Sequence, residues 1–179
     1  MPTRYQSSIA LLPLQPLQRL PLLTHSPLGT HQKHGYGKLT YAFGGGYDGH
    51  WNSDRKDGDG TLTNANGSTY TGHWKADKYH GRGVWRDVDG SCYDGEWIEG
   101  MKEGRGNYRW SDGSSYSGTW LNDKMHGQGI FSNSDSTQKY IGTWELGLRH
   151  GQGVLSDALG TFEGEWVYGK VRMPAHDQL

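Results

Sequence analysis

Four histidines stand at the same place in a recurring pattern, each one residue before a Gly-x-Gly: His34, His80, His126 and His150. Asp57 and Glu103 hold the matching place in two further copies. Imidazoles and carboxylates in register are the side chains of a zinc site, so a ligand ladder is the first chemistry to weigh. The spacing argues against it. Equivalent positions in successive hairpins lie two strands apart, about 10 Å. Two nitrogens sharing one zinc, each at ~2.0–2.1 Å, stand no more than about 4 Å apart. His50 and His73 fail by the same geometry. The Gly-x-Gly runs invite a phosphate-binding loop, but no helical pattern follows any of them, and that site needs a helix N-terminus. Cys92 has no second cysteine and no paired histidine to activate it. Ser114, Ser115 and Ser117 have no His/Asp set at useful spacing. The expectation is a chain with no catalytic residues, no metal and no cofactor, and so not an enzyme.

The elements that carry these residues repeat. Tyr-x-Gly-x-Trp occurs at Tyr47/Trp51, Tyr70/Trp74, Tyr93/Trp97, Tyr116/Trp120 and Tyr140/Trp144, and Phe162/Trp166 closes the series as a variant. Steps between the leading aromatics are 23, 23, 23, 24 and 22 residues. A Gly-x-Gly follows each of the five full motifs, and an orphan pair, Gly35/Gly37, precedes the first. Alternation with period two puts the aromatic, the glycine and the tryptophan on one face of a strand. The next strand repeats the logic, adding Leu39, Leu62, Trp85, Tyr108, Phe131 and Leu155 to that face. Glycine so placed makes floor space for neighbouring rings. Intervening polar residues such as Asp48, His50, Thr71, His73, Asp94 and Glu96 should face water. Asn66-Gly67, Asp89-Gly90 and Asp112-Gly113 signal hairpins at one edge. At the other edge Asp or Gly falls three residues after each tryptophan. Stacked, these hairpins make an all-β, elongated, single-layer antiparallel array of roughly twelve strands.

Composition agrees. Of 179 residues 29 are glycine and eight are tryptophan, while only 32% are hydrophobic, which rules out a thick aliphatic core. Disordered chains are poor in aromatics, and this one is not. A net charge of −1 offers no electrostatic case for nucleic acid. One cysteine excludes an internal disulfide framework and fits a reducing compartment. Residues 9–28 carry eight leucines interrupted by Pro13, Pro16 and Pro21, which favours extended chain over helix. The domain reading is a disordered Pro/Leu-rich tail over 1–34, an array over 35–172 of about six units with the first and last partial, and a C-terminal tail over 173–179. A docking segment or a targeting peptide are the other readings of the N-terminal stretch.

The pattern resembles the MORN (membrane occupation and recognition nexus) repeat, Y-x-G-x-W-x-x-G-x-x-x-G-x-G, and residues 90–106, GSCYDGEWIEGMKEGRG, are a near-ideal copy. The resemblance covers residues 35–169. Asp in place of glycine at 54, 77 and 123, the insertion near Ser134–Thr137 and the missing final Gly-x-Gly depart from it. It implies a β-hairpin array serving as a scaffold in flagella, cilia or cytoskeletal rings, as a lipid-associated module, or as an appendage to enzymes such as lipid kinases. A cytoplasmic site, associated with cytoskeleton, cilium or flagellum, follows from the same resemblance.

Two surfaces are candidate sites. The aromatic face should present Tyr47, Trp51, Tyr70, Trp74, Tyr93, Trp97, Tyr116, Trp120, Tyr140, Trp144, Phe162 and Trp166 to protein partners, because exposed aromatics in a groove bind strongly. Alternatively the basic turn residues Lys56, Lys78, Lys102, Lys124, Arg149 and Lys170 meet an anionic membrane surface at ~1 kcal/mol each. Acidic neighbours in the same turns nearly balance them. A last strand with unpaired backbone also suggests a homodimer through the C-terminal edge.

Overall fold

The computed structural model describes residues 32–172. The tail readings for 1–31 and 173–179 lie outside the described residues. Thirteen strands form one open antiparallel sheet whose spatial order is the chain order. They are β1 (Gly35–Thr40), β2 (Gly46–Asn52), β3 (Arg55–Thr63), β4 (Thr69–Lys75), β5 (Lys78–Arg86), β6 (Cys92–Ile98) and β7 (Met101–Arg109). There follow β8 (Ser115–Leu121), β9 (Lys124–Ser132), β10 (Lys139–Glu145), β11 (Leu148–Asp157), β12 (Gly160–Val167) and β13 (Lys170–Val171). Among the described residues there is no helix.

Each even-numbered strand from β2 to β12 carries the Tyr-x-Gly-x-Trp pattern or its Phe162 variant. For β2 to β10 the following strand pairs with it glycine to glycine: Gly49 with Gly60, Gly95 with Gly106, Gly142 with Gly153. The two glycines of one Gly-x-Gly do different jobs. Gly104 sits in a bulge at φ +62, a backbone that side-chain-bearing residues avoid. Gly106 lies beneath the Tyr93 ring, and a methyl group there would collide with the phenol. Floor space, expected of both, is the role of the second alone.

The turn chemistry is distributed differently from the expectation. The Asn-Gly and Asp-Gly pairs do not close two-residue loops. Gly67 and Gly113 end four-residue turns, donating to Asn64 and Trp110 carbonyls, at φ +94 and +91. Asn66, Asp89 and Asp112 each accept the amide of the serine two residues on, at 2.8–3.0 Å. Asp135 and Thr137 rebuild this contact in the insertion, so the longer loop keeps its hairpin. The tight two-residue turns are at the other edge. Ser53-Asp54, Ala76-Asp77, Glu99-Gly100, Asn122-Asp123, Leu146-Gly147 and Tyr168-Gly169 all have positive φ at both residues, the signature of a type I′ turn. Asp54, Asp77 and Asp123 therefore keep the same geometry as the glycines they replace.

The core is a single file of rings. Tyr47, Tyr70, Tyr93, Tyr116 and Tyr140 are 0–1% exposed, and each is struck edge-on by the tryptophan of its own unit and of the next. Such edge-to-face pairs contribute about 0.5–1.5 kcal/mol beyond area burial. Each tyrosine hydroxyl donates to the carbonyl three residues on, opposite the bulge, at 3.0–3.1 Å. Indole N–H groups of Trp51, Trp74, Trp97 and Trp120 donate to the second glycine of the preceding Gly-x-Gly at 3.1 Å, and Trp144 does so at 3.4 Å. Burial in this file holds the phenols neutral: Tyr47, Tyr70 and Tyr93 have pKa values raised well above the ordinary range, and Tyr116 is pushed up to about 12.

Candidate functional site

The structure corrects the expectation that the motif aromatics are exposed. Tyr47, Trp51, Tyr70, Trp74, Tyr93, Trp97, Tyr116, Trp120, Tyr140, Trp144 and Trp166 are all buried, because glycines opposite them let the rings lie flat between strands. Only Phe162 of that set reaches the surface, at 42% exposure. What the aromatic face offers instead is the layer above. Leu62, Trp85, Tyr108, Phe131 and Leu155 stand directly opposite the buried tyrosines in the strand register and are half-buried against them. Tyr79 stacks on Tyr70 with ring centroids 3.8 Å apart. Together these residues form an apolar strip along the array.

The strip deepens near the insertion. A pocket of about 300 Å³ is lined by Trp110, Met125, Phe131, Trp144, Leu148 and Arg149, with glycines at its rim. Trp110 lies 4.7 Å from the Tyr108 ring and 5.9 Å from Phe131. Sequence reasoning missed Trp110, Met125 and Leu148. A signal for Trp110 was present, since Tyr41 holds the matching place two residues beyond Leu39 and packs on the core in the same way.

Most of the basic ladder is not free. Lys56 and Lys102 lie over ring faces, Lys56 Nζ 4.7 Å from the Trp74 centroid and Lys102 Nζ 5.3 Å from that of Tyr108. Their side chains are 17% and 20% exposed, and each also pairs with an aspartate in the next turn, Asp77 at 3.6 Å and Asp123 at 3.5 Å. The guanidinium of Arg149 covers Tyr140 and Trp166 at 5.0 and 5.3 Å, and burial lowers its pKa. Lys78 is bound to Glu99 at 2.6 Å, which lowers the glutamate's pKa. Lys124 and Lys170 are the exposed members with no ion pair among the described residues.

This pairing follows a rule across units. Lys33, Lys56 and Lys102 each donate their backbone amide at 2.9 Å to an aspartate 21 residues on: Asp54, Asp77 and Asp123. For Asp54 that backbone bond is the chief reason its pKa is lowered. Where Tyr79, Met125 or Arg149 occupies the lysine's place, the partner turn has glycine: Gly100, Gly147 and Gly169. A second bond locks the same turns, since Asp57 and Glu103 accept the amides of Ala76 and Asn122 at 3.2 and 3.0 Å, and His34 accepts that of Ser53 at 3.4 Å. Asp57, Glu103 and His34, each before a Gly-x-Gly, thus act as turn locks. At His80, His126 and His150 the corresponding Nδ1 is buried without a partner. No group of three or more His, Cys, Asp or Glu converges among the described residues.

The opposite face is polar, with one aliphatic island where Ile130 and Ile141 pair across strands beside Val154. Cys92, half-buried there, receives Arg86 Nη1 at 2.9 Å.

No curated protein matches the chain. A comparison with protein-family models matches the MORN repeat to seven segments, residues 31–45, 47–69, 70–92, 93–115, 116–138, 140–158 and 162–170. Repeats of this kind are typically non-catalytic and often mediate protein or membrane interactions. With most of its length covered by consecutive copies in register with the observed hairpins, the chain belongs to the MORN repeat family.

Proposed function

We propose that this protein is a non-enzymatic scaffold that holds an apolar segment of a protein partner along its aromatic face, in the cytoplasm and within a flagellar, ciliary or cortical cytoskeletal assembly. One observation carries the proposal. The half-buried residues from Leu62 to Leu155 recur at one place in five successive units, and the pocket at Trp110, Phe131 and Met125 suits one large apolar anchor. Aromatic anchors seated in such a pocket supply most of the energy at an interface. The side chains are already fixed by the ring file beneath them, so binding costs little further ordering. Against a lipid role for the basic turns stands the engagement of Lys56, Lys78, Lys102 and Arg149 in ion pairs or ring contacts.

Proximity labelling with tagged wild type and a Trp110→Glu/Phe131→Glu variant tests this. Both residues are half-buried above the ring file, so the variant should still unfold cooperatively, at a lowered melting temperature, and lose the proximal proteins the wild type marks, whereas a Trp110→Leu/Phe131→Leu variant should keep them. Sedimentation with anionic liposomes at ~0.15 M salt, abolished by Lys124→Glu/Lys170→Glu, would replace the scaffold with a membrane module.

A further inference from the structure

The two ends of the sheet are complementary halves of one unit. β1 has the form of the second strand of a unit, Gly35-x-Gly37-x-Leu39, and among the described residues no strand pairs with its outer edge. β12 has the form of a first strand, Phe162-x-Gly164-x-Trp166, and is followed only by the two residues of β13. Beyond Trp166 and Val167, paired to Val171 and Lys170, the edge of β12 has no strand partner among the described residues. Phe162 is 42% exposed where the equivalent tyrosines are 0–1% exposed, because no following tryptophan covers it. The last unit is structurally incomplete.

We infer that β1 of a second copy completes it, joining protomers head to tail into a continuous sheet. The register of every interior unit dictates the junction. As Gly142 faces Gly153 and Tyr140 faces Leu155, so Gly164 faces Gly37 of the second copy and Phe162 faces Leu39. The second copy's Trp51 then takes the place that Trp166 holds beside Tyr140, covering Phe162. Glu163 falls opposite Lys38, as Ile141 falls opposite Val154. Lys38 is 73% exposed, with only a 4.0 Å contact to Asp48, and Glu163 is exposed. Opposite charges directly across a ladder stabilise it, and like charges destabilise it. Joining β12 to β12 would oppose the face that carries Glu163 and Glu165 to itself, so charge selects head to tail over tail to tail. Lys33 and His34 of the incoming strand take the positions of Val171 and Arg172, so β13 yields. It holds two residue pairs and the Arg172–Glu165 contact, and the incoming strand offers six or seven pairs by the interior register. A head-to-tail junction does not close on itself unless the rotation brings the ends together, so growth continues beyond a dimer.

Sedimentation velocity of the full chain at tens of micromolar tests this. Wild type should show mass rising with concentration past the dimer. Lys38→Glu and Glu163→Lys should each weaken association about ten-fold, because each turns an attractive cross-strand pair into a repulsive one. An equimolar mixture of the two variants should recover assembly, since every mixed junction again pairs unlike charges, and that recovery also shows both variants folded. In a Cys92→Ser background, mixing Lys38→Cys with Glu163→Cys should yield a disulfide-linked heterodimer, the two side chains being direct cross-strand neighbours. A wild type that stays monomeric, or a Lys38→Glu variant that associates like wild type, overturns the inference. The latter result would point to tail-to-tail pairing.

Discussion

The interior units and the last unit are built from nearly the same sequence, yet only the interior is sealed. Tyr93 is packed between Trp97 and Trp120 at 4.9 and 5.4 Å, and its hydroxyl is bonded to Glu96. Phe162 meets one tryptophan at 6.1 Å and has no hydroxyl to bond. A unit of this sheet is therefore completed by its successor. Its stability belongs to the junction between units more than to the motif itself, which is what a quasi-one-dimensional array requires.

The contrast is broken most forcefully at the glycines. Gly106→Ala places a methyl group within the Tyr93 ring, which is locked on both edges, and should cost about 3 kcal/mol in denaturant unfolding. At Gly164 the added carbon would stand 2.6 Å from Phe162 Cζ, but that ring is half out of the sheet and can swing away. Gly164→Ala should cost about 1 kcal/mol. Equal losses at the two sites would mean that the last unit is as tightly sealed as the others.

The next largest effect lies in the indoles. Trp97→Phe removes buried volume and leaves the Gly83 carbonyl without its donor, for about 3 kcal/mol. Trp166→Phe removes similar volume and no bond, for about 2 kcal/mol. Chemical denaturation of both variants should show that difference of about 1 kcal/mol, the ordinary worth of one hydrogen bond.

Alkali separates the same regions. Burial raises the pKa of Tyr47, Tyr70 and Tyr93, and takes Tyr116 to about 12. A raised folded-state pKa gives stability that is whole below the ordinary tyrosine value of about 10 and is lost as pH climbs through the folded value. Tyrosinate absorbance should therefore rise late and together with unfolding. In a Phe162→Tyr variant, one additional tyrosine should titrate earlier than the buried set, near the ordinary value. If it titrates with the others, the last unit is covered in solution, as completion by a second copy would make it.

How far these features were legible differs by kind. Period, strand faces and the hairpin array follow from Tyr-x-Gly-x-Trp in register, because alternation alone assigns a face. Burial of that face did not follow. A single sheet normally leaves its surface open, and only the paired Gly49/Gly60 geometry lets rings from adjacent strands close over one another. The insertion near Ser134 looked disruptive but was absorbed, since Asp135 with Thr137 restores the turn contact. Lys56 and Lys102 looked like solvent charges because their ring partners lie in the neighbouring strands and their aspartates 21 residues away. The signal was nevertheless written across units: lysine goes with aspartate one repeat later, and tyrosine or methionine with glycine.

That rule yields the smallest prediction and the finest test of the junction view. Lys102→Tyr with Asp123→Gly would copy the Tyr79/Gly100 pair into the next unit. Lys102→Tyr alone loses the 3.5 Å ion pair and gains stacking on Tyr93, as Tyr79 stacks on Tyr70. Asp123→Gly alone loses the backbone bond to Lys102 but relieves a residue held at φ 65. The lysine and aspartate side chains are 20% and 48% exposed, so solvent screens their attraction, and each single change should lie within about 0.5 kcal/mol of wild type. The double variant should be more stable than the sum of the singles by about 0.5 kcal/mol in a double-mutant cycle, the coupling expected of residues in direct contact. Gly169→Asp, facing Arg149 in the last unit, should gain less than that, because β13 holds its turn with only two residue pairs. A coupling of zero at 102/123 would mean that lysine and aspartate co-occur only because each suits its own turn, and the stability of the array would then rest on the ring file alone.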